Sequence, residues 1–297
     1  MLDVMERCPD WAVIVALVGF GQEIHQGEAG LQEWGVTLHN RAEKWSVSAS
    51  PLVLDLHSDA GAVRLFNIES PEGMVVQKEA RLHLATSIRS PRALMISDWV
   101  EAVLHGDSDR ARRLFQQPLE FPVKHTRDRE RARAWLRTHA DHSPYPGNCG
   151  LVSSSGGLRL RAYGLEVSPA FRHGFPYEEW FLAKPGDTRS APMLEVAATE
   201  FECQGLELDW VGVTWGGDLI FDATEWRTRR FAGTKWLNVG TEVGRRFILN
   251  EYRVILTRAR RGMILWIPPG SAADNTLAAR HFDTTADYLS ACGVPLL

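Results

Sequence analysis

Two short stretches concentrate the residues that could do chemistry. One reads EVAATEFECQGLELD over 195–209, and the other reads NEYRVILTRARRG over 250–262. Each sets polar side chains beside a short apolar run, as at the end of a parallel strand, and ligands in open α/β sheets gather at the carboxyl ends of strands. A planar guanidinium such as that of Arg258 stabilises charge spread over several oxygens, for instance those of a transferring phosphoryl group. Arg253, Arg258, Arg260 and Arg261 read alternatively as an ordinary solvated basic turn. The stretch TEFECQGLELD reads by itself as a strand–turn with two buried acids. Ser153 and Ser154 in LVSSSGG form a polar turn after an apolar run, able to position a phosphate backbone through hydroxyls and N–H groups or simply to turn the chain. Arg227, Arg229, Arg230 and Lys235 alternate with Trp226, Phe231 and Trp236. That pattern suits either a stacking surface for single strands or, more commonly, a solvated loop with aromatic anchors. His139 and His142 lack a third ligand nearby, so no metal site is expected.

Positioning such groups takes a framework, and the apolar runs outline one. Trp11–Gly19 (WAVIVALVG) reads as a strand buried on both faces. Glu28–Asn40 reads as a helix with Leu31, Trp34 and Leu38 on one side. Short strand-like runs broken by Pro51 follow over 46–56, with another strand candidate at 62–68. An amphipathic helix ends at Leu104, carrying Leu94, Trp99 and Val103. Val123 lies in a short strand, and Asp128–Ala140 in a charged helix. LVSSSGG, EWFLAKP, the run around Val196, WVGVTWG and MILWIP then supply further apolar segments between turns. This alternation predicts an α/β fold with a mostly parallel sheet. A terminal helix holds Leu277, Phe282 and Leu289.

The chain of 297 residues is long enough for two ordinary domains. A net charge of -4 gives no global argument for nucleic acid, so any basic footprint must be local. No apolar run approaches the roughly 20 residues of a membrane span. The four cysteines show no zinc or disulfide spacing and fit a reducing cytoplasm. The eleven tryptophans are expected mainly in cores and lobe interfaces.

The stretches TEFECQGLELD and VILTRARRG resemble motifs V and VI in the second RecA-like lobe of superfamily 1 helicases, in the variety of the Schlafen group 3-like DNA/RNA helicase domain. The resemblance implies an α/β fold made of an incomplete first RecA-like lobe (1–117), a complete second RecA-like lobe (118–269) and a helical tail (270–297). It implies an ATP-dependent activity on single-stranded DNA or RNA. Thr257-Arg258-Ala259 matches the T-R-A arginine that reaches the γ-phosphate. Gly205 matches the glycine that lets the backbone approach phosphate, Glu207 the acid at the nucleotide sugar, and Gln204 stands where lysine is frequent. Thr199 matches a contact to the nucleic-acid backbone, as do Ser153 and Ser154. Phe201 replaces a frequent histidine. Arg89 in SIRSP resembles the second γ-phosphate arginine, and Gln22 in GFGQEI resembles the motif III glutamine, one residue short of the G-D-x-x-Q spacing.

The phosphate loop G-x-x-x-x-G-K-[ST] and its downstream magnesium-binding acid do not occur in the sequence. The resemblance therefore implies that ATP and Mg are held only when a partner segment supplies those motifs. The chain by itself is expected not to hydrolyse ATP, and a non-catalytic nucleic-acid-binding or regulatory role is the alternative.

Overall fold

A computed structural model describes residues 1–17, 30–55, 64–66, 71–83, 91–116, 121–142 and 148–297. The chain forms two compact units, Met1–Ala85 and Thr86–Leu297.

In the smaller unit, strand β1 (Val47–Ala49) runs parallel to β2 (Val76–Lys78). The helix Gly30–His39 falls where apolar spacing places it, with Leu31 and Leu38 buried beside Leu65, Phe66 and Met74. Pro51 does not simply break a strand. It opens the short helix Pro51–Leu54, with Ser50 accepting the Leu52 N–H as its cap. The run over 11–17 is a correction: it forms no strand among the described residues, and Val15 and Leu17 are each 82% exposed. An apolar run specifies burial on two faces only where flanking strands are present to provide it.

The larger unit is built on five parallel strands in the order β3 (Val123–Thr126), β10 (Ala259–Trp266), β6 (Leu208–Thr214), β4 (Cys149–Ser153) and β5 (Ala197–Thr199). This is the expected α/β architecture with a RecA-like parallel sheet. The charged helix Arg129–Asp141 starts at Asp128, whose carboxylate accepts the N–H groups of Glu130 and Arg131. It buries Ala132, Trp135, Leu136 and Ala140 against Leu151, Ile264 and Trp266 of the sheet. Gly150 leaves room for the Trp180 ring, because a β-carbon there would lie 2.7 Å from the indole.

EWFLAKP is a second correction. Its apolar residues lie on the helix Tyr177–Leu182, where Trp180 is buried and Leu182 faces solvent. Short apolar runs do not distinguish a strand from a buried helical turn.

The Trp- and Arg-rich insert forms an antiparallel sheet of β7 (Leu219–Asp222), β8 (Glu225–Ala232) and β9 (Lys235–Asn238). Its aromatic groups are anchors: Trp226 is buried, stacks on Trp215 at 5.5 Å and donates to the Val103 carbonyl at 2.7 Å. The helix Pro91–Leu104 therefore packs within the larger unit, with Trp99 and Val103 fully buried and Trp99 directed to the Cys292 carbonyl. The helix Ala279–Ala291 closes this side through Phe282 and Leu289.

Candidate functional site

The two chemistry-bearing stretches meet. Thr199 ends β5 and caps the four-residue helix Glu200–Cys203, with its N–H and hydroxyl both directed to the Glu202 carboxylate at 2.8 and 2.6 Å. The chain then turns through Gln204 and Gly205 and enters β6 at Leu208. Gly205 has φ +85°, in the left-handed region, and open space where a side chain would begin. The helix Glu242–Leu256 delivers Arg258 directly beneath this turn.

Arg258 is only 2% exposed. Its Nε donates to the Val254 carbonyl at 2.9 Å, and its terminal nitrogens reach the Leu206 carbonyl at 3.3 Å and the Thr257 hydroxyl at 3.1 Å. The neighbouring charges are matched as well. Arg260 donates to Glu207 at 2.9 Å, and Arg261 lies 3.9 Å from Asp209. A register shift between Ala259 and Gly262 accommodates the two arginines on β10. The basic run is thus divided: Arg258 is buried against the turn, whereas Arg260 and Arg261 stay solvated while facing Glu207 and Asp209.

Strand register corrects where these groups lie. Ala259 pairs with Leu208, so Arg258 and the turn over 204–207 sit at the amino-terminal end of β6 and β10. The carboxyl end is about 20 Å away, six residue steps along β6. There Ser153 pairs with both Thr199 and Thr214. The expectation that both stretches mark carboxyl ends holds for Thr199 and Glu200 at the end of β5 and fails for the 204–207 turn and Arg258, which precede β6 and β10; the connection over 200–207 carries the chain between the two ends.

The carboxyl end holds a second constellation. The connection leaving β4 runs to β5 and that leaving β6 runs to β10, on opposite sides in the strand order, which makes the β4–β6 junction a topological switch point. Ser153 and Ser154 lie at this junction and are fully buried. The Ser153 hydroxyl donates to the Thr214 carbonyl at 3.1 Å. The Ser154 hydroxyl lies 2.6 Å from Asp218 Oδ2 and 2.9 Å from Glu251 Oε2, and it accepts the Gly156 N–H at 3.0 Å. Glu200 accepts the Ser155 N–H through Oε2 at 2.9 Å, while its buried Oε1 has no hydrogen-bond partner.

Burial pushes the Glu200 carboxyl up to about 7. It also raises Asp218, and it raises Glu251 with help from the charges of Glu200 and Asp218. Sequence reasoning misses Asp218, Glu251 and Glu200 as a group. The only signal is an acid just beyond each of two apolar runs, since Glu251 is brought in from a distant helix.

Thus Gln204, Gly205, Glu207 and Arg258 come together at one end of the sheet, and Ser153, Ser154 and Thr199 at the other. Gln22 and Arg89 lie outside the described residues. Among the described residues no three His, Cys, Asp or Glu side chains converge as ligands for a metal ion.

Over residues 1–269 the chain is matched by a family model described as Schlafen group 3, DNA/RNA helicase domain. The chain belongs to that family. Among curated proteins no match was found. No described helix is long and apolar enough to cross a membrane.

Proposed function

We propose that this chain is the carboxyl-terminal part of a superfamily 1-like, nucleic-acid-dependent NTPase or helicase, and that it requires a segment carrying the phosphate loop for turnover. The observation that carries the reading is the meeting of Arg258 with the 204–207 turn. A guanidinium and a turn with an open backbone at Gly205 form the half of a nucleotide cleft that closes over phosphates held elsewhere. The exposed apolar run over 11–17 supports the need for such a segment, since an apolar strand of this kind is stable when neighbours cover it. ATP and Mg bind, on this reading, only to the completed assembly. No step is assigned to magnesium, because the described residues offer it no ligand set. Arg89 and Gln22 act with Arg258 at the γ-phosphate in the same assembly.

The partner is single-stranded DNA or RNA. At the carboxyl end of the sheet the Ser153, Ser154 and Thr199 hydroxyls are engaged internally, as are the N–H groups of Ser155, Gly156 and Gly157, so contact with a phosphate backbone requires this turn to exchange internal bonds for the ligand. The free thiols Cys8, Cys149, Cys203 and Cys292 suit a reducing compartment, and the cytoplasm is the proposed location.

The test is ATP hydrolysis, with and without single-stranded nucleic acid, by the chain joined to a phosphate-loop segment. Turnover is expected in the assembly and not in the chain alone. Arg258→Lys in the assembly is expected to lower it by on the order of 10³-fold. Turnover unchanged by that substitution removes the proposed role.

The burial of Arg258 favours one second reading, a non-catalytic nucleic-acid-binding module in which this arginine only holds the turn. That reading predicts strand binding that weakens steeply with salt, without hydrolysis in any assembly.

A further inference from the structure

The Ser154 junction contains more acid than its hydrogens can satisfy. A hydroxyl offers one hydrogen and two lone pairs. The Ser154 hydroxyl accepts the Gly156 N–H and faces two carboxyl groups, Asp218 at 2.6 Å and Glu251 at 2.9 Å. Its single hydrogen serves one of them. The shorter contact has the length of a hydrogen bond from a hydroxyl to an ionised carboxylate. Asp218 also receives the Tyr252 hydroxyl at 3.1 Å, and that hydroxyl in turn accepts the Gly216 N–H. Asp218 thus has two donors and is the ionised member. The contact at 2.9 Å is then a hydrogen bond only when Glu251 carries a proton and donates it to Ser154.

The geometry points to a proton lock: a neutral Glu251 donates to Ser154, Ser154 donates to ionised Asp218, and this chain ties the helix Glu242–Leu256 to the turns that follow β4 and β6. No bond other than these hydrogen bonds changes, and the proton comes from and returns to water. Loss of the proton places a second negative charge against Asp218 and leaves the contact without a hydrogen. The lock then opens, and the helix that carries Arg258 at its end is released from the switch point of the sheet.

The charged and titratable groups facing the lock from every packed element agree with this arrangement. Glu200, on the helix after β5, adds a third acid. Arg172, on the helix Pro169–Gly174, attracts Glu200 and Glu251 from a distance but is paired with Glu202 at 2.8 Å. Arg229 on β8 attracts Asp218 while donating to the Gly217 carbonyl. Tyr252 donates from the same helix as Glu251. Among the described residues no Lys or Arg forms an ion pair with Glu200, Asp218 or Glu251.

Carboxyl groups raised above their ordinary value near 4.5 contribute stability that is complete below that value and is lost as pH rises through the folded values. Folding stability of the full chain is therefore expected to fall between about pH 5 and pH 8. His125 and His281, both pulled down by burial, act in the opposite sense, so the diagnostic quantity is the difference between wild type and variants. The experiment is thermal unfolding of the full-length protein, Glu251→Gln and Asp218→Asn over that range, with infrared spectra of the folded state. Relative to Glu251→Gln, the wild-type Tm is expected to fall by roughly 3–5 °C per pH unit for each proton released.

The amide that Glu251→Gln introduces supplies an N–H at every pH, so this variant keeps the low-pH Tm and flattens the slope. Asp218→Asn replaces one of the two acceptor oxygens by an N–H group and lowers Tm at every pH. A protonated-carboxyl band is expected in the wild type at neutral pH and is diminished in Glu251→Gln. An unaltered slope in Glu251→Gln, or absence of that band from the wild type, overturns the lock. So does a Tm that magnesium raises at about pH 8 in the wild type but not in Glu251→Gln, because a cation would then be the bridging species. If Glu251→Gln does not fold, the wild-type infrared spectrum is compared with that of Glu200→Gln, because Glu200 also holds a proton near pH 7: a band that persists in Glu200→Gln supports the lock, and a band lost there overturns it.

Discussion

Arg258→Ala separates a guanidinium that holds the fold from one that waits for a phosphate. In this structure the side chain is 2% exposed, with one well-formed bond to the Val254 carbonyl at 2.9 Å and a longer one to the Leu206 carbonyl at 3.3 Å. Hydrogen bonds from a charged donor are worth about 1.5–3 kcal/mol each, and a buried acceptor left alone costs about 1–3 kcal/mol. The Val254 carbonyl retains a bond from the Thr257 N–H at 3.2 Å, so it is not orphaned. Removing a buried cation also recovers part of its desolvation cost. The net loss is therefore about 2–3 kcal/mol rather than the sum of the bonds. Urea unfolding of the full chain measures it as a lowered midpoint with an unchanged slope. In a thermal scan the same loss corresponds to a fall of roughly 4–12 °C. A variant within about 0.5 kcal/mol of the wild type, the range of an ordinary surface change, would refute the argument that this guanidinium secures the turn.

Substitutions at three further positions test the packing around the site. Gly205→Ala is expected to lose roughly 1–2 kcal/mol from backbone strain alone, because φ is +85° and the space beside it is open. Gly205→Asn should lose less, and equal losses in chemical denaturation would show that something other than φ governs the position. Gly150→Ala drives a methyl group to 2.7 Å from the Trp180 ring and is expected to cost about 1–3 kcal/mol, with a shift in Trp180 fluorescence. Asp128→Ala removes the cap of the helix Arg129–Asp141 and should cost about 1 kcal/mol by urea midpoint, while Asp128→Ser restores most of it.

Local patterns in the sequence carried much of this protein. Helical spacing placed Leu31 and Leu38 on one buried face. The charged segment Asp128–Ala140 announced a helix, and the alternation of apolar runs and turns implied a parallel α/β sheet. The fold family was legible in two stretches, QGLELD and LTRARRG, because a turn glycine, matched acids and a fixed arginine are set by local chain geometry. Tertiary structure alone decided what those residues touch. WAVIVALVG has the composition of a buried strand, yet burial depends on neighbours, and of its described residues only Ala12 and Ile14 are partly covered. EWFLAKP has the apolar content of a strand, yet docking of Trp180 against Gly150 makes it a helix. The amino-terminal position of Arg258 follows from strand register, which no single stretch encodes. The acids of the Ser154 junction come from three segments as far apart as Glu200 and Glu251. Their shared environment exists only after β4, β5 and β6 align, because exclusion of water and mutual repulsion are properties of assembled space and not of residue order.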